Sequence, residues 1–173
     1  SRPEIAAPNR PRIFSSAVTS ADARDRGKPS SWSSAVDSLA SDYTNEGDSP
    51  RLFVLAAGNT IGAHDWATYP NSLTTSGIRD PGQAWNAITV GAYTEKIEIT
   101  EPDAQDYEPI ASAGGLSPYT TTSGDWQSFW PLKPDVVFEG GNRGMDGFGS
   151  VGISSLQLLT THNQHTSRLF NTT

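Results

Sequence analysis

Six consecutive apolar residues, Leu52-Phe53-Val54-Leu55-Ala56-Ala57, run directly into Gly58-Asn59. A short run with no polar alternation suits a strand covered on both faces, as in a parallel sheet. Parallel neighbours must be joined by a crossover, usually a helix. The sequence upstream supplies one. Ile13-Phe14-Ser15-Ser16-Ala17-Val18-Thr19 is short and partly β-branched and reads as a strand. Residues 20–29, with Gly27 and Pro29, read as a loop. Trp32, Ala35, Val36, Leu39 and Ala40 then recur at helical spacing, with Ser30 or Ser31 placed to cap the first turn. Asn45, Gly47, Asp48 and Pro50 end that helix. The order strand, helix, strand predicts a βαβ unit with a right-handed crossover.

The remainder of the chain is looser. Residues 1–12, rich in Pro and Arg, read as an irregular lead-in, and residues 60–82 as a long loop. Ala87–Tyr93 is a third strand, and residues 94–110 are acidic and read as a solvated excursion. Turns follow, marked by Gly114-Gly115, Pro118 and Gly124. Pro134–Phe138 reads as a short strand stopped by Gly140-Gly141, and Ser155–Thr161 as one more. The fold class is therefore α/β at the front, then strands and long loops with few helices. Loops of this length in a compact domain are functional or pack against partners elsewhere.

Charge and composition remove several function classes. Lys and Arg total 12 against 19 Asp and Glu, a net charge of −7. Arg10, Arg12, Arg24, Arg26 and Lys28 are interrupted by Asp22 and Asp25, so no basic stripe for nucleic acid forms. The absence of cysteine excludes disulfides, thiolate chemistry and cysteine-ligated zinc. No apolar run approaches the roughly 18 residues of a membrane span, so neither nucleic acid nor membrane is an expected partner. The compartment stays open. Gly140 to Gly152 is glycine-rich but lacks the Gly-Lys-Ser/Thr ending of a phosphate loop. His162 and His165 are three apart without a third ligand in register, and His64 is a lone loop histidine. No metal site or cofactor is expected. Calcium on Glu98, Glu101, Asp103, Asp106 and Glu108 is the alternative, although the EF-hand order is missing.

The strand that ends in Asn59 carries the sharpest chemical signal. Ligand sites in parallel sheets lie at the carboxyl ends of the strands. Small residues there let a peptide backbone approach, and an amide NH2 is a donor for a developing oxyanion. The competing reading is a plain turn, because Gly-Asn after a strand is common loop chemistry.

Phe53–Asn59 resembles the strand and Ala-Ala-Gly-Asn segment of the subtilisin-like peptidases, and further blocks follow in that family's order. Ile13–Thr19 resembles the preceding strand, Pro29–Leu39 the connecting helix and Tyr69-Pro70 the Tyr-Pro beyond the oxyanion asparagine. Ala87–Ala92 is similar to the family's Val-Ile-Ala-Val-Gly-Ala, and Lys133–Gly140 to its Lys-Pro-Asp-Val-x-Ala-Pro-Gly. The resemblance implies a three-layer, subtilisin-like parallel sheet, present in part, across residues 1–173. It implies a serine endopeptidase whose oxyanion hole includes Asn59. Ser16, Ala17 and Val18 on one side, with Ala56, Ala57 and Gly58 on the other, would bind an extended peptide or protein substrate. The stretches Ser16-Ala17-Val18-Thr19, 80–86 and 113–119 look like a bacterial subgroup of stand-alone subtilases.

The departures are as specific. The Asp, His-Gly-Thr and Gly-Thr-Ser-x-Ala motifs of the triad find no counterpart, so the chain is expected to be an internal segment, inactive by itself. Glu139 stands where the family has proline, and Val18 where it has a cleft-lining glycine. The alternative is a non-catalytic peptide-binding module on the same scaffold. An unpaired strand at Ile13–Thr19 would also favour self-association of the chain.

Overall fold

The structure, a computed structural model, describes residues 5–6, 10–43, 51–60 and 62–159. In chain order its elements are β1 (Arg12–Ser16), α1 (Ser31–Ser41), β2 (Arg51–Ala56), α2 (Ala63–Ala67), β3 (Ile88–Thr94), β4 (Glu108–Pro109), β5 (Gly115–Leu116), β6 (Val136–Glu139), β7 (Gly144–Met145) and β8 (Ser150–Val151). Short 3-10 turns lie at Asn71–Thr74, Pro102–Ala104 and Ser154–Leu156.

The main sheet runs β1-β2-β3-β6, all parallel. Phe14 pairs with Phe53, and their rings stack with centroids 5.0 Å apart. Val90 pairs with Ala56 on one side and Val136 on the other, so β3 is the central strand. Where β2 ends, β5 continues along the same edge of β3, antiparallel, pairing Leu116 with Tyr93. A separate small antiparallel sheet has the order β4-β7-β8. The α/β class read from the sequence is what the chain builds, with a mixed sheet and few helices.

Helix α1 forms as its serines direct. The Ser30 hydroxyl accepts from the backbone N–H of Ser33, and the Ser33 hydroxyl accepts from that of Ser30, a reciprocal capping box. Asp42 closes the helix in the left-handed region, its N–H returning to the Ser38 carbonyl. The helix packs on β2 by Val36, which meets Leu55, Ala84 and Ala87 in the first core. Trp32 and Leu39 share its apolar spacing yet remain exposed, so only a narrow stripe reaches the sheet.

Side chains alternate across a strand, so Phe53 and Leu55 face α1 while Leu52, Val54 and Ala56 face away. Parallel register puts Ile13, Val90, Val136 and Phe138 on that second face too. None of these is buried: Ile13 is 72% exposed and Phe138 65%. Among the described residues the arrangement is one helix on one face of the sheet. The second helical layer implied by the resemblance is not among them.

Three expectations need correction. The loop at 60–82 contains α2 and the 3-10 turn at Asn71–Thr74. The acidic excursion keeps Glu98, Asp103, Asp106 and Glu108 exposed, but Ile99, Ala104 and Tyr107 pack against Ile153 and Leu156 in a second core. In place of the strand expected at Ser155–Thr161, Ser154–Leu156 form a 3-10 turn and residues 157–159 are irregular. The backbone bonds locally, the Leu156 N–H donating to the Ile153 carbonyl and the Gln157 N–H to the Ser154 carbonyl, both at 3.1 Å, which turns the fully buried Leu156 into the second core. Residues 160–161 lie outside the described residues.

The Lys-Pro-Asp block has a structural task. The Lys133 ammonium, 1% exposed, donates to the Ala87 carbonyl at 2.9 Å and to Asp135 Oδ2 at 2.6 Å. The same carboxylate oxygen accepts from the Thr89 N–H at 2.6 Å. The block thus clamps the start of β6 to the start of β3. The peptide bonds before Pro70, Pro81 and Pro134 are cis.

Candidate active site

The apolar run of β2 ends where the backbone is most firmly held. The N–H of Ala57 still donates to Val90 of β3. Its carbonyl accepts twice, from the Arg79 N–H at 2.8 Å and the Thr121 hydroxyl at 2.8 Å. Ala57 is buried. Gly58 then turns the chain with φ +105°, and a Cβ there would collide with the Arg79 side chain. Arg79 cannot easily withdraw, because its Nη1 donates to the Ala21 carbonyl at 2.5 Å.

Asn59 emerges from this turn exposed and bridges antiparallel to Thr120. Among the described residues its side-chain amide makes no hydrogen bond. The next residue is the opposite case. Thr60 is buried; its N–H donates to the Tyr119 carbonyl at 3.0 Å and its hydroxyl to the Pro118 carbonyl at 2.6 Å. The same hydroxyl accepts from the Trp66 indole N–H at 3.2 Å.

A cleft of about 580 Å³ opens at this point. Ala56 to Thr60 form one wall, Val90 to Ala92 the floor, and Trp66, Tyr119, Thr120, Gly140 and Leu158 the remainder. It lies toward the carboxyl ends of β2, β3 and β6, where parallel sheets place their ligands. Its lining is small along β2 and β3 and bulkier at Trp66, Tyr119 and Leu158, and among the described residues the Asn59 amide in it has no hydrogen-bond partner.

The structure separates the two sets of residues expected along a substrate. Ala56, Ala57 and Gly58 line the cleft with Asn59. Ser16 ends β1, paired with Leu55, and its hydroxyl accepts from the Val18 N–H at 3.3 Å. Ala17 and Val18 continue outward, Val18 being 65% exposed. All three sit one strand over, outside the lining of this cleft. His64 is exposed on α2 and does not line it either. His162 and His165 lie outside the described residues.

Glu139, the departure from proline, has a physical role. One carboxylate oxygen accepts from the Glu95 N–H at 2.7 Å and the other from the Gly141 N–H at 2.8 Å. It ties the end of β3 to the turn after β6, beside the cleft.

A second hollow of about 470 Å³ lies on the far side of Trp66, with Tyr69, Asp106, Glu108 and Asp146 in its wall. The Asp146 carboxylate is held below its ordinary range by the N–H groups of Phe148 and Gly149. Burial pushes the Tyr69 phenol up, and its hydroxyl donates to the Leu116 carbonyl at 2.8 Å. Glu101 is occupied by Ser155, whose hydroxyl lowers its pKa most. Among the described residues no three His, Asp or Glu side chains come together to hold a metal ion.

A model of the subtilase family matches residues 2–173. The chain belongs to the subtilase family. That makes it a chain of serine peptidase type. No curated protein and no solved structure matches it. In this subtilase the sequence singled out Asn59 and its small neighbours, whereas Thr60, Trp66, Tyr119 and Arg143 went unread. They come from three separate stretches, Thr60 and Trp66 from one and Tyr119 and Arg143 from two others, and the one local signal was the tryptophan in the loop after Asn59.

Proposed function

We propose that the chain forms the oxyanion and cleft portion of a serine endopeptidase, with Asn59 as the side-chain donor. The observation that supports this most directly is an exposed amide with no partner among the described residues. It stands between Ala57 and Thr60, whose backbone groups are hydrogen-bonded to neighbouring segments, at the edge of a largely apolar cleft. As a nucleophile attacks a peptide carbonyl, the oxygen gains negative charge. A donor fixed in advance stabilises that charge without reorganising. Ala56, Ala57 and Gly58 offer little side-chain bulk, which leaves room for a substrate backbone. Ser16, Ala17 and Val18, at the neighbouring strand end, would carry the same peptide further by strand addition.

The test is Asn59→Ala in the full-length protein with a chromogenic peptide substrate. Loss of one oxyanion donor is expected to lower kcat by about 10²–10³ while KM stays nearly unchanged. A fluorophosphonate probe should label the full-length protein and leave the 173-residue chain unlabelled. An unchanged kcat in the Asn59 variant would reject the assignment. A full-length protein that folds but takes up no probe would favour the peptide-binding module instead.

A further inference from the structure

Arg143 is 93% withdrawn from solvent, at 7% exposure, yet no carboxylate among the described residues pairs with it. Its side-chain polar contacts are long, 3.4 Å to the Tyr119 hydroxyl and 3.4 Å to the Ser150 carbonyl, and among the described residues its Nε has no hydrogen-bond partner. What the guanidinium does have is an aromatic face. Its central carbon stands 3.8 Å from the centroid of the Trp66 ring, within cation–π range. A buried charge with so few hydrogen bonds depends on that face, and the face is held in place by the charge. Tyr119 meets the same indole edge-on at 6.3 Å, and its own ring centroid lies 5.8 Å from the guanidinium carbon.

The clamped ring is the one whose N–H reaches Thr60, the residue that follows Asn59. Thr60 is thereby fixed by its own N–H, by its hydroxyl proton and by the indole. An asparagine bonded at its side chain could hold its own direction. Asn59 is not, so its amide points where the backbone on either side sends it. Gly58 is fixed by Arg79 on one side, and Thr60 by this cluster on the other.

We propose that Trp66 and Arg143 are positioning residues for Asn59, acting through the Thr60 hydroxyl. The inference rests on the oxyanion reading of Asn59. Neither residue need touch the reacting atoms. Arginine is required because a flat guanidinium can lie on the indole, whereas a lysine ammonium is a compact, strongly hydrated point charge.

The experiment is a set of double-mutant cycles on the full-length protein, with kcat and KM measured separately. Trp66→Phe keeps the ring and removes the N–H. Thr60→Val removes the acceptor, and Thr60→Ser retains it. Arg143→Met and Arg143→Lys remove the flat cation. Trp66→Phe and Thr60→Val are each expected to lower kcat about tenfold at steady KM, within the roughly 10²-fold that a small misplacement can cost. Thr60→Ser should restore most of the rate. Combined with Asn59→Ala, each should add almost nothing, because its effect passes through that amide. Losses that multiply fully in the Asn59→Ala background would overturn the proposal, since they would mark a general structural role. So would an unchanged kcat in Trp66→Phe and Thr60→Val when Asn59→Ala alone is slow. If Asn59→Ala is itself as fast as wild type, the oxyanion reading fails, and the positioning role with it. Should the Arg143 variants not fold, the Trp66 and Thr60 cycles decide the matter by themselves.

Discussion

At the scale of single residues, the candidate site depends on a glycine that has no freedom to change. Gly58 combines φ +105° with contact against the anchored Arg79 side chain. Gly58→Ala therefore meets both a strained backbone and a steric clash. It is expected to lower stability by about 1–3 kcal/mol in denaturant unfolding. Gly62→Ala is the control, since a Cβ there meets nothing closer than 3.7 Å and should shift the midpoint little. Equal effects of the two changes would show that the turn is not rigid. Gly58 and Asn59 were legible in the sequence because they punctuate an uninterrupted apolar run. Arg143 was not, because a charged residue beside glycines in a turn-rich stretch reads as surface. Only the fold brings Trp66 and Tyr119 over it.

Among the elements, α1 was legible to within one residue, Ser30 or Ser31 being the expected cap and Ser30 the one that serves, because capping is local chemistry. Ser30→Ala removes the acceptor for the Ser33 N–H and should cost about 1 kcal/mol, read as a shift in the unfolding midpoint, whereas Ser30→Asp should retain most of it. An unchanged midpoint in Ser30→Ala would mean that the cap contributes nothing. The helical periodicity overstated how much of α1 is covered, since Trp32 and Leu39 stay in solvent. Spacing reports which side chains share a stripe, not how wide the opposing surface is. The stretch after Ser154 shows the converse limit. Its apolar residues suggested a strand, but the Leu156 and Gln157 N–H groups fold back onto Ile153 and Ser154, which sets Leu156 beside Ala104 and its carbonyl against the Asn142 N–H. Ala104 and Asn142 are distant in sequence, and no local pattern announces them.

For the whole molecule, the parallel pairing of β1 with β2 could be anticipated from two strand-like segments and the amphipathic helix between them, whereas the place of β3 and β6 in the same sheet was implied by the family resemblance. The small antiparallel sheet could not be anticipated, because strands of two residues are too short for any period to register. The sheet also has a dry side and a wet side. Ile13, Leu52, Val136 and Phe138 face away from α1 and all stay exposed, and among the described residues β1 has no neighbour on its outer edge. In water such a surface is half of an interface, and mass action decides how often it finds the other half. The 173-residue chain in isolation is accordingly expected to sediment as a concentration-dependent mixture of monomer and larger species. Ile13→Lys with Phe138→Lys should shift that mixture toward monomer without altering β2. A monomer at all concentrations before any substitution would mean that this face is already satisfied within the chain. Solubility would then be an internal property of this subtilase chain. Otherwise it is a debt, discharged by whatever lies against those four side chains.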